Sequence, residues 1–528
     1  MDLIPQLLSA IVISPLVGFV ILLIIYTTLL PNNSLNHQAG RIMWDIALTS
    51  VLIQLILIAF LSWQSSQGII TLNPLHLLQS YNSDFWLGLD GINLSLSMMI
   101  TLVTFLAILS SPVNQKSEII ALACLLLLNS GVMILLLTRD LFIFTIIWEA
   151  LLLPLFILLM IYNNGIVTSG VRRFMSSQLL GAICLHLFLL GTTYHADPEN
   201  YRFSALFNAL TGVRELSPNP EKLILLSLLL VTAGLRFPLF PLHSWWPPLV
   251  RCVRGGSGLF LLVSLPLLGY YLLIRLALPL LPMILVQFAP ILIGLSVITI
   301  IWSGMNALVQ DNLRSVLAFG LLAQMGYMMI GLCTLGETNP IWVSGLSGSL
   351  LLAVSIAATT ALAYSLLVMI ENRIGHCRFA AGANSGDNPD HPTMAGMGSH
   401  CPKIAGTLSL CLMAMMGVPL LGSFLGKVLC LIGGFGSHPE LTLVAAFGML
   451  LGVGYINQVF SNVYSPSSGY NTSPVADLTF WELLQLLPFA VIILILGIYP
   501  NTFLALNEST LTTLIGSVKT ALHMFGIG

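Results

Sequence analysis

Charged side chains are scarce in this chain of 528 residues, and Glu149, Arg236 and Lys427 are among the few that fall inside hydrophobic runs. An ionisable group is costly in hydrocarbon, so each is a candidate for function. Arg236 lies in a disrupted stretch, Thr232 to Arg254, that reads TAGLRFPLFPLHSWWPPLVRCVR, just before its first proline. Pro238 and Pro241 lack backbone donors and clash with the preceding turn, so a helix entering from Lys222 opens here. The freed carbonyls need partners, because irregular backbone at membrane depth is tolerated only when buried in protein or lining a wet cavity. The bland alternative for Arg236 is a side chain snorkelling to the headgroups from a helix end. Glu149, in LFIFTIIWEALLLPLFILL, is a candidate proton carrier, or else a fixed charge held by Arg236 or a neighbouring helix. Lys427 lies in MMGVPLLGSFLGKVLCLIGG, where Gly417, Pro419 and Gly422 weaken a second span. Lysine can release a proton when desolvated, whereas arginine keeps its charge, so this site is the more switchable of the two.

The elements that must carry these groups are membrane spans. Hydrophobic residues make up 57% of the chain and charged residues 7%, which excludes a soluble globular protein. Runs long enough to cross about 30 Å of hydrocarbon recur fourteen times, so the expected fold is all-α and polytopic. The net charge of -2 gives no reason to expect a nucleic-acid partner. The 8 cysteines include no CxxC or CxxCH, which argues against a haem, an iron-sulfur cluster or a thiol redox pair in this chain. The opening run lacks a basic n-region and a cleavage site and reads as a retained first helix. Loops after odd-numbered spans carry Arg41, Lys116, Arg172, Arg173, Arg251, Arg254, Arg373, Arg378 and Lys403, with Arg314 at the mouth of another; loops after even-numbered spans carry fewer cations, chiefly Arg139, Arg202, Arg214, Lys222 and Arg275. The odd loops are therefore expected on the inner side, with both termini opposite.

The broken runs are the seventh and twelfth, five spans apart, as in transporters built from inverted repeats. The expected division is residues 1–111 (three spans), 112–280 (first repeat), 281–464 (second repeat) and 465–528 (a last helix and tail). The polar loop 371–402 holds His376, Cys377, His391, His400 and Cys401, but their spacing matches no standard zinc module, so no metal is expected. Asp45 reads as a headgroup-level residue, and Asp90, between glycines at a span entrance, as a turn. The amphipathic end from Thr510 suits a membrane surface or a neighbouring subunit.

Several segments in order resemble the antiporter-like proton-channel subunits of respiratory complex I, NADH:ubiquinone oxidoreductase, and within them the chain 4 branch. They are WLGLDGINLSL from Trp86, the Trp148-Glu149 pair with Pro154 after it, RFPLFPLHSWWPP, QDNLRSVLAFGLLAQMGYMMIG from Gln310, GVPLLGSFLGK from Gly417 and LPFAVIILILGIYP from Leu487. The resemblance implies two inverted five-helix repeats and a row of buried charges near the midplane that moves protons as quinone is reduced elsewhere. Glu149 matches the fifth-helix glutamate, and His243 a histidine near the seventh-helix break. Arg236 stands where the family has a lysine. Leu267 falls on the eighth-helix lysine, Gln324 on a tenth-helix histidine, and Lys427 on the twelfth-helix glutamate of chain 4, as a lysine does in chains 2 and 5. Ser257, Ser264, Tyr270 and Tyr271 are candidates to hold water where Leu267 cannot titrate.

The resemblance implies other membrane-arm subunits as partners, chains 2 and 5 included, and the mitochondrial inner membrane as location. It implies no cofactor in this chain, with NADH, FMN, iron-sulfur clusters and ubiquinone bound by other subunits. Two alternatives stand beside this reading: a structural subunit whose first half-channel does not conduct, and a subunit of a multi-subunit cation/proton antiporter.

Overall fold

A computed structural model describes residues 3–29, 37–66, 87–111, 116–163, 165–195, 220–253, 255–310, 312–334, 341–374, 397–464 and 476–524. Loop residues His376, Cys377 and His391, the cations Arg202, Arg214, Arg254 and Arg378, and Trp86 lie outside them. The described residues are helical, apart from short connections and an isolated pairing of Leu87 with Thr138.

In chain order the helices are α1 (Leu3–Leu29), α2 (His37–Ser66), α3 (Gly91–Leu109), α4 (Lys116–Leu137), α5 (Leu141–Ala150), α6 (Leu152–Tyr162), α7 (Ser169–His195) and α8 (Pro220–Arg236). A 3-10 turn at Leu242–Trp245 leads to α9 (Trp246–Cys252), and α10 (Gly255–Leu272) runs on through a π turn, Leu273–Ala277, to Leu280. Then come α11 (Pro282–Leu308), α12 (Leu313–Leu332), α13 (Ile341–Ile374), α14 (Pro402–Met416), α15 (Gly422–Ser437), α16 (Pro439–Tyr464), α17 (Phe480–Ile498) and α18 (Pro500–Met524). Among the described residues, 12 stretches are long and apolar enough to cross a membrane, α5 with α6 forming one of them. The two remaining spans expected from sequence are the broken ones, α8 to α9 and α14 to α15.

The chain divides into two compact units, and the division falls on the first break. One unit comprises Met1–Phe237, Cys252–Gln287 and Ala505–Gly528. Where α1 to α4 pack, polar side chains replace the water that hydrocarbon excludes. Gln54 donates to the Ile11 carbonyl at 3.0 Å, Asn129 donates to Gln54 Oε1 at 2.7 Å, and Thr104 donates to Asn129 Oδ1 at 3.1 Å. Such bonds join helices that apolar packing alone joins weakly in lipid.

At one end of this unit Asp90 caps α3 by accepting from the Asn93 N–H at 3.1 Å, as the turn reading expected. Its carboxylate also pairs with Arg275 and lies 3.9 Å from Arg139. Arg275, counted among the loop cations from sequence, instead sits inside a span, where the π turn of α10 carries it. The tail helix α18 is seated on this same end: Gly91 donates its N–H to Thr510 Oγ1 at 3.0 Å, and Ser95 donates to Asn507 Oδ1 at 3.1 Å. The amphipathic face of the tail thus docks on its own chain, burying Leu511 and Val518. Gly91 is required there, because a Cβ would meet the Leu506 carbonyl at 2.6 Å. At the other end, Tyr162 donates to Ser257, and Thr168 Oγ1 lies 3.5 Å from Cys252 Sγ.

The second unit comprises Pro238–Arg251 and Phe288–Leu504. Its centre is α12, every residue of which is buried. The segment after the first break is clamped to α12 twice: Trp246 Nε1 donates to the Ala318 carbonyl at 3.0 Å, and Arg314 donates to the Val250 carbonyl at 3.0 Å. Arg314 is itself held as a fork on Glu371, at 2.6 and 2.5 Å. Asp477 orders the start of α14, accepting the N–H groups of Lys403 and Ile404 at 3.1 Å each.

Candidate functional site at two broken spans

At the first break the α8 helix ends on Arg236, and Phe237 still bonds back to the Ala233 carbonyl at 2.6 Å. The Arg236 side chain is 1% exposed, which rules out snorkelling. Its Nε donates to Gln178 Oε1 at 2.7 Å, and its guanidinium carbon lies 3.9 Å from the centre of the Trp148 ring. Gln178 in turn donates to the Leu235 carbonyl at 2.8 Å. One guanidinium nitrogen of Arg236 has no hydrogen-bond partner among the described residues. The charge is thus met by a neutral amide and an aromatic face, without a carboxylate.

Glu149 follows Trp148 directly but pairs elsewhere. Its carboxylate meets His186 Nδ1 on α7, and the two side chains are 36% and 46% exposed. Sequence offered Arg236 or a neighbouring helix as the partner, and the structure selects a neighbouring helix. Facing positions on antiparallel helices explain the choice: Trp148 points inward toward Arg236 while the next side chain, about 100° round the helix, points outward.

His243 lies in the 3-10 turn beyond the break and is 7% exposed. Its ring stacks on Phe240, with centroids 5.5 Å apart, and meets the edge of Trp302 at 4.3 Å. Nδ1 has no hydrogen-bond partner among the described residues.

The second break is better furnished. Helix α14 ends at Gly417, whose φ of +87° suits glycine and lets the chain turn away. Lys427, 3% exposed on α15, donates to the Met415 carbonyl at 2.7 Å and lies 3.4 Å from that of Met416. These are the unpaired carbonyls at the negative end of α14, so the break supplies the lysine's ligands. The Tyr327 ring of α12 lies 5.6 Å from Nζ, and Tyr327 donates to the Ala445 carbonyl at 3.1 Å. Gln324, one turn earlier on the same helix, is 1% exposed, and neither amide atom has a hydrogen-bond partner among the described residues.

Leu267 is buried in α10 beside Pro266. Of the hydroxyls expected to hold water near it, Tyr271 donates to the Leu136 carbonyl at 2.8 Å and Ser257 accepts from Tyr162, so both have protein partners already. Sequence reasoning missed Gln178, His186, Tyr327 and the pairing of Asp90 with Arg275. The signal for Arg275 and His186 was their lodging within apolar runs; nothing local marks Gln178 or Tyr327. Among the described residues, no group of three or more His, Cys, Asp or Glu side chains is placed to hold a metal.

Comparison with known proteins places this geometry. The family described as "NADH:quinone oxidoreductase/Mrp antiporter, TM" matches residues 138–452, more than half of the chain and a stretch that includes both breaks. Subunit M of NADH-quinone oxidoreductase from Rickettsia typhi is 25% identical over 502 residues, covering 94% of this chain and 96% of the relative. Chain 4 of NADH-ubiquinone oxidoreductase from Marchantia polymorpha is 24% identical, covering 96% and 97%. Among solved structures, a chain of respiratory complex I from Thermus thermophilus superposes with a TM-score of 0.78 at 21% identity, covering 97% of this chain and 99% of that one. A chain of the Mrp complex from a Dietzia species gives 0.79 at 16% identity, covering 98% and 100%. The helix order, the two interrupted spans with a cation at each and the match across both breaks agree: the chain belongs to the NADH:quinone oxidoreductase/Mrp antiporter transmembrane family.

Proposed function

We propose that this chain is a proton-translocating membrane-arm subunit of an NADH:quinone oxidoreductase. The observation that carries the reading is Lys427, a buried amine seated on the end carbonyls of a broken span within a chain of this family. An amine held by carbonyls rather than by a carboxylate can pass its proton on without leaving a buried anion unpaired. Gln324 is suited to hold a water beside this path, and His243, in its aromatic surround, is a second group able to change charge. Redox cofactors and quinone belong to other subunits in this reading, and the electrons do not cross this chain. The proposed location is the mitochondrial inner membrane, by likeness to the Marchantia polymorpha chain 4, with both termini on the outer side by the distribution of loop cations; chains 2 and 5 are the proposed neighbours.

The first test is mass spectrometry of the intact assembly extracted in mild detergent, with NADH:quinone activity assayed on the same fraction. Flavoprotein and iron-sulfur chains in an active fraction are expected; a set of small antiporter chains in their place would move the function to cation/proton exchange. Within the active assembly, Lys427→Met is expected to lower protons moved per electron while NADH oxidation by an artificial acceptor is unchanged. An unaltered ratio with normal assembly counts against Lys427.

Two observations favour a narrower second reading, in which the first half of the chain is structural. Arg236 has no carboxylate partner among the described residues, and Leu267 cannot titrate. In that case Arg236→Lys and Glu149→Gln leave the proton ratio untouched and alter only assembly.

A further inference from the structure

Helix α3 carries a polar seam that packing does not satisfy. Asn93, Ser97, Thr101 and Thr104 recur at helical spacing on one side, and each is 0 or 1% exposed. Ser95 and Thr104 donate back to the carbonyls of Gly91 and Ile100, at 2.8 and 2.7 Å, as hydroxyls in helices commonly do. Ser97 and Thr101 do not. Their hydroxyls, together with Asn93 Oδ1, have no hydrogen-bond partner among the described residues. A buried polar atom is costly unless it is bonded, and here three of them stand on successive turns of one helix. Side chains four residues apart are separated by about 6 Å along the axis, the reach of one bridging water.

The row begins at the pair of Asp90 and Arg275 and ends in a bonded cluster, where Thr104 donates to Asn129 and Asn129 to Gln54. From Asn93 to Thr104 it covers about 17 Å, more than half of the hydrocarbon. Helix α10 runs alongside in the opposite direction. Arg275 reaches Asp90 at one end, and at the other a Cβ on Gly256 would collide with the Ala107 carbonyl. Gly256, Ser264 and Leu267 fall within a quarter turn of one another, so Ser264 and Leu267 lie on the side of α10 that meets α3, between those two contacts. The tight fit of Gly256 on Ala107 closes the seam beyond Thr104, and an ion pair stands across its other end. The seam is thus blind at one end and gated at the other.

We infer that the seam between α3 and α10 is a site for a file of ordered water, which exchanges with solvent past the Asp90 and Arg275 pair and is the route for protons between that end and the depth of Leu267. The inference rests on the reading of this chain as a proton-translocating subunit. It gives the first half a relay where Leu267 cannot titrate: hydroxyls and water each donate and accept, so a proton passes along the row as each oxygen exchanges one bond for the next.

The first test uses the intact assembly in mild detergent, exposed to an X-ray pulse that turns bound water into hydroxyl radical, with oxidised side chains read by mass spectrometry. Leu267 and Leu262, on different sides of α10, are 4% and 2% exposed, so burial alone predicts equal oxidation. Leu267 is expected to oxidise faster than Leu262, and faster again in Asp90→Asn, where the gate loses its charge. Equal rates at the two leucines would overturn the water site. The second test is Thr101→Val, which keeps the shape and removes the hydroxyl, with Ser97→Ala read in the same way should the first variant fail to assemble. Fewer protons moved per electron are expected, with recovery in Thr101→Ser. An unchanged ratio, in an assembly where Lys427→Met lowers it, overturns the route and leaves the proposed function standing. A ratio that neither substitution moves overturns both.

Discussion

Arg236 shows how a buried charge is kept without a counter-ion. Its guanidinium is planar, so one edge bonds Gln178 while the flat face lies on Trp148. Removing the amide by Gln178→Leu leaves a charged donor unpaired in a dry site, which costs about 2 kcal/mol. The expected result is a lower thermal midpoint for the extracted assembly, and an unchanged midpoint would mean that Trp148 alone suffices. Lys427 allows a finer separation, because Tyr327 offers it a ring while spending its hydroxyl on Ala445. Tyr327→Phe keeps the ring and is expected to cost about 1 kcal/mol, with proton movement intact. Tyr327→Leu also removes the ring, and should cost about 1 kcal/mol more and slow proton movement. Equal effects of the two substitutions on the proton ratio would exclude the ring from the site.

At the scale of elements, the entrance of α3 joins a cap to an ion pair, and substitution can split them. Asparagine caps a helix about as well as aspartate, so Asp90→Asn keeps the bond to Asn93 and removes the charge that Arg275 needs. The expected cost is about 3 kcal/mol, because a buried arginine is left alone. Arg275→Gln in the same chain should recover part of it, and a double change that costs the sum of the two singles would show that they are not coupled. This pairing was illegible in the sequence for a physical reason. Asp90 has a local signature, a turn residue before an apolar run, but its partner is 185 residues away on a helix whose π turn shifts the register by one position. The breaks were legible, because Pro238, Pro241 and Gly417 act through their own backbone, and so were the spans, because hydrocarbon thickness sets their length. Glu149 was recognisable as a charge within an apolar run, but not whether it is buried, because which way it faces depends on how α5 and α7 lie side by side. Periodicity alone pointed outward, since Ile146, Glu149 and Leu153 share a face, but an apolar run of this kind has no polar side to mark the exposed one.

For the whole molecule, the same correction bears on orientation. Counting Arg275 as a loop cation weakened the contrast between the two sides of the membrane; with Arg275 inside α10, the outward loops hold fewer cations than the sequence suggested. The end of the first unit expected on the inner side keeps Arg172 and Arg173, both exposed at the start of α7. The positive-inside rule counts such loop cations near span ends, so it predicts this end on the inner side and both termini on the outer. It can be tested within that unit alone. Ile166, exposed in the connection between α6 and α7, should lie on the inner side, and Ser509, exposed on α18 beside the Asp90 end, on the outer. With Ile166→Cys and Ser509→Cys in otherwise native chains, a membrane-impermeant thiol reagent applied from the outer side is expected to add label only to the Ser509 variant, and applied to inverted membranes only to the Ile166 variant. The reverse pattern would invert the chain. Label on both from one side would mean an odd number of crossings is missing or extra between residues 166 and 509, and the fourteen-span reading would have to be redrawn.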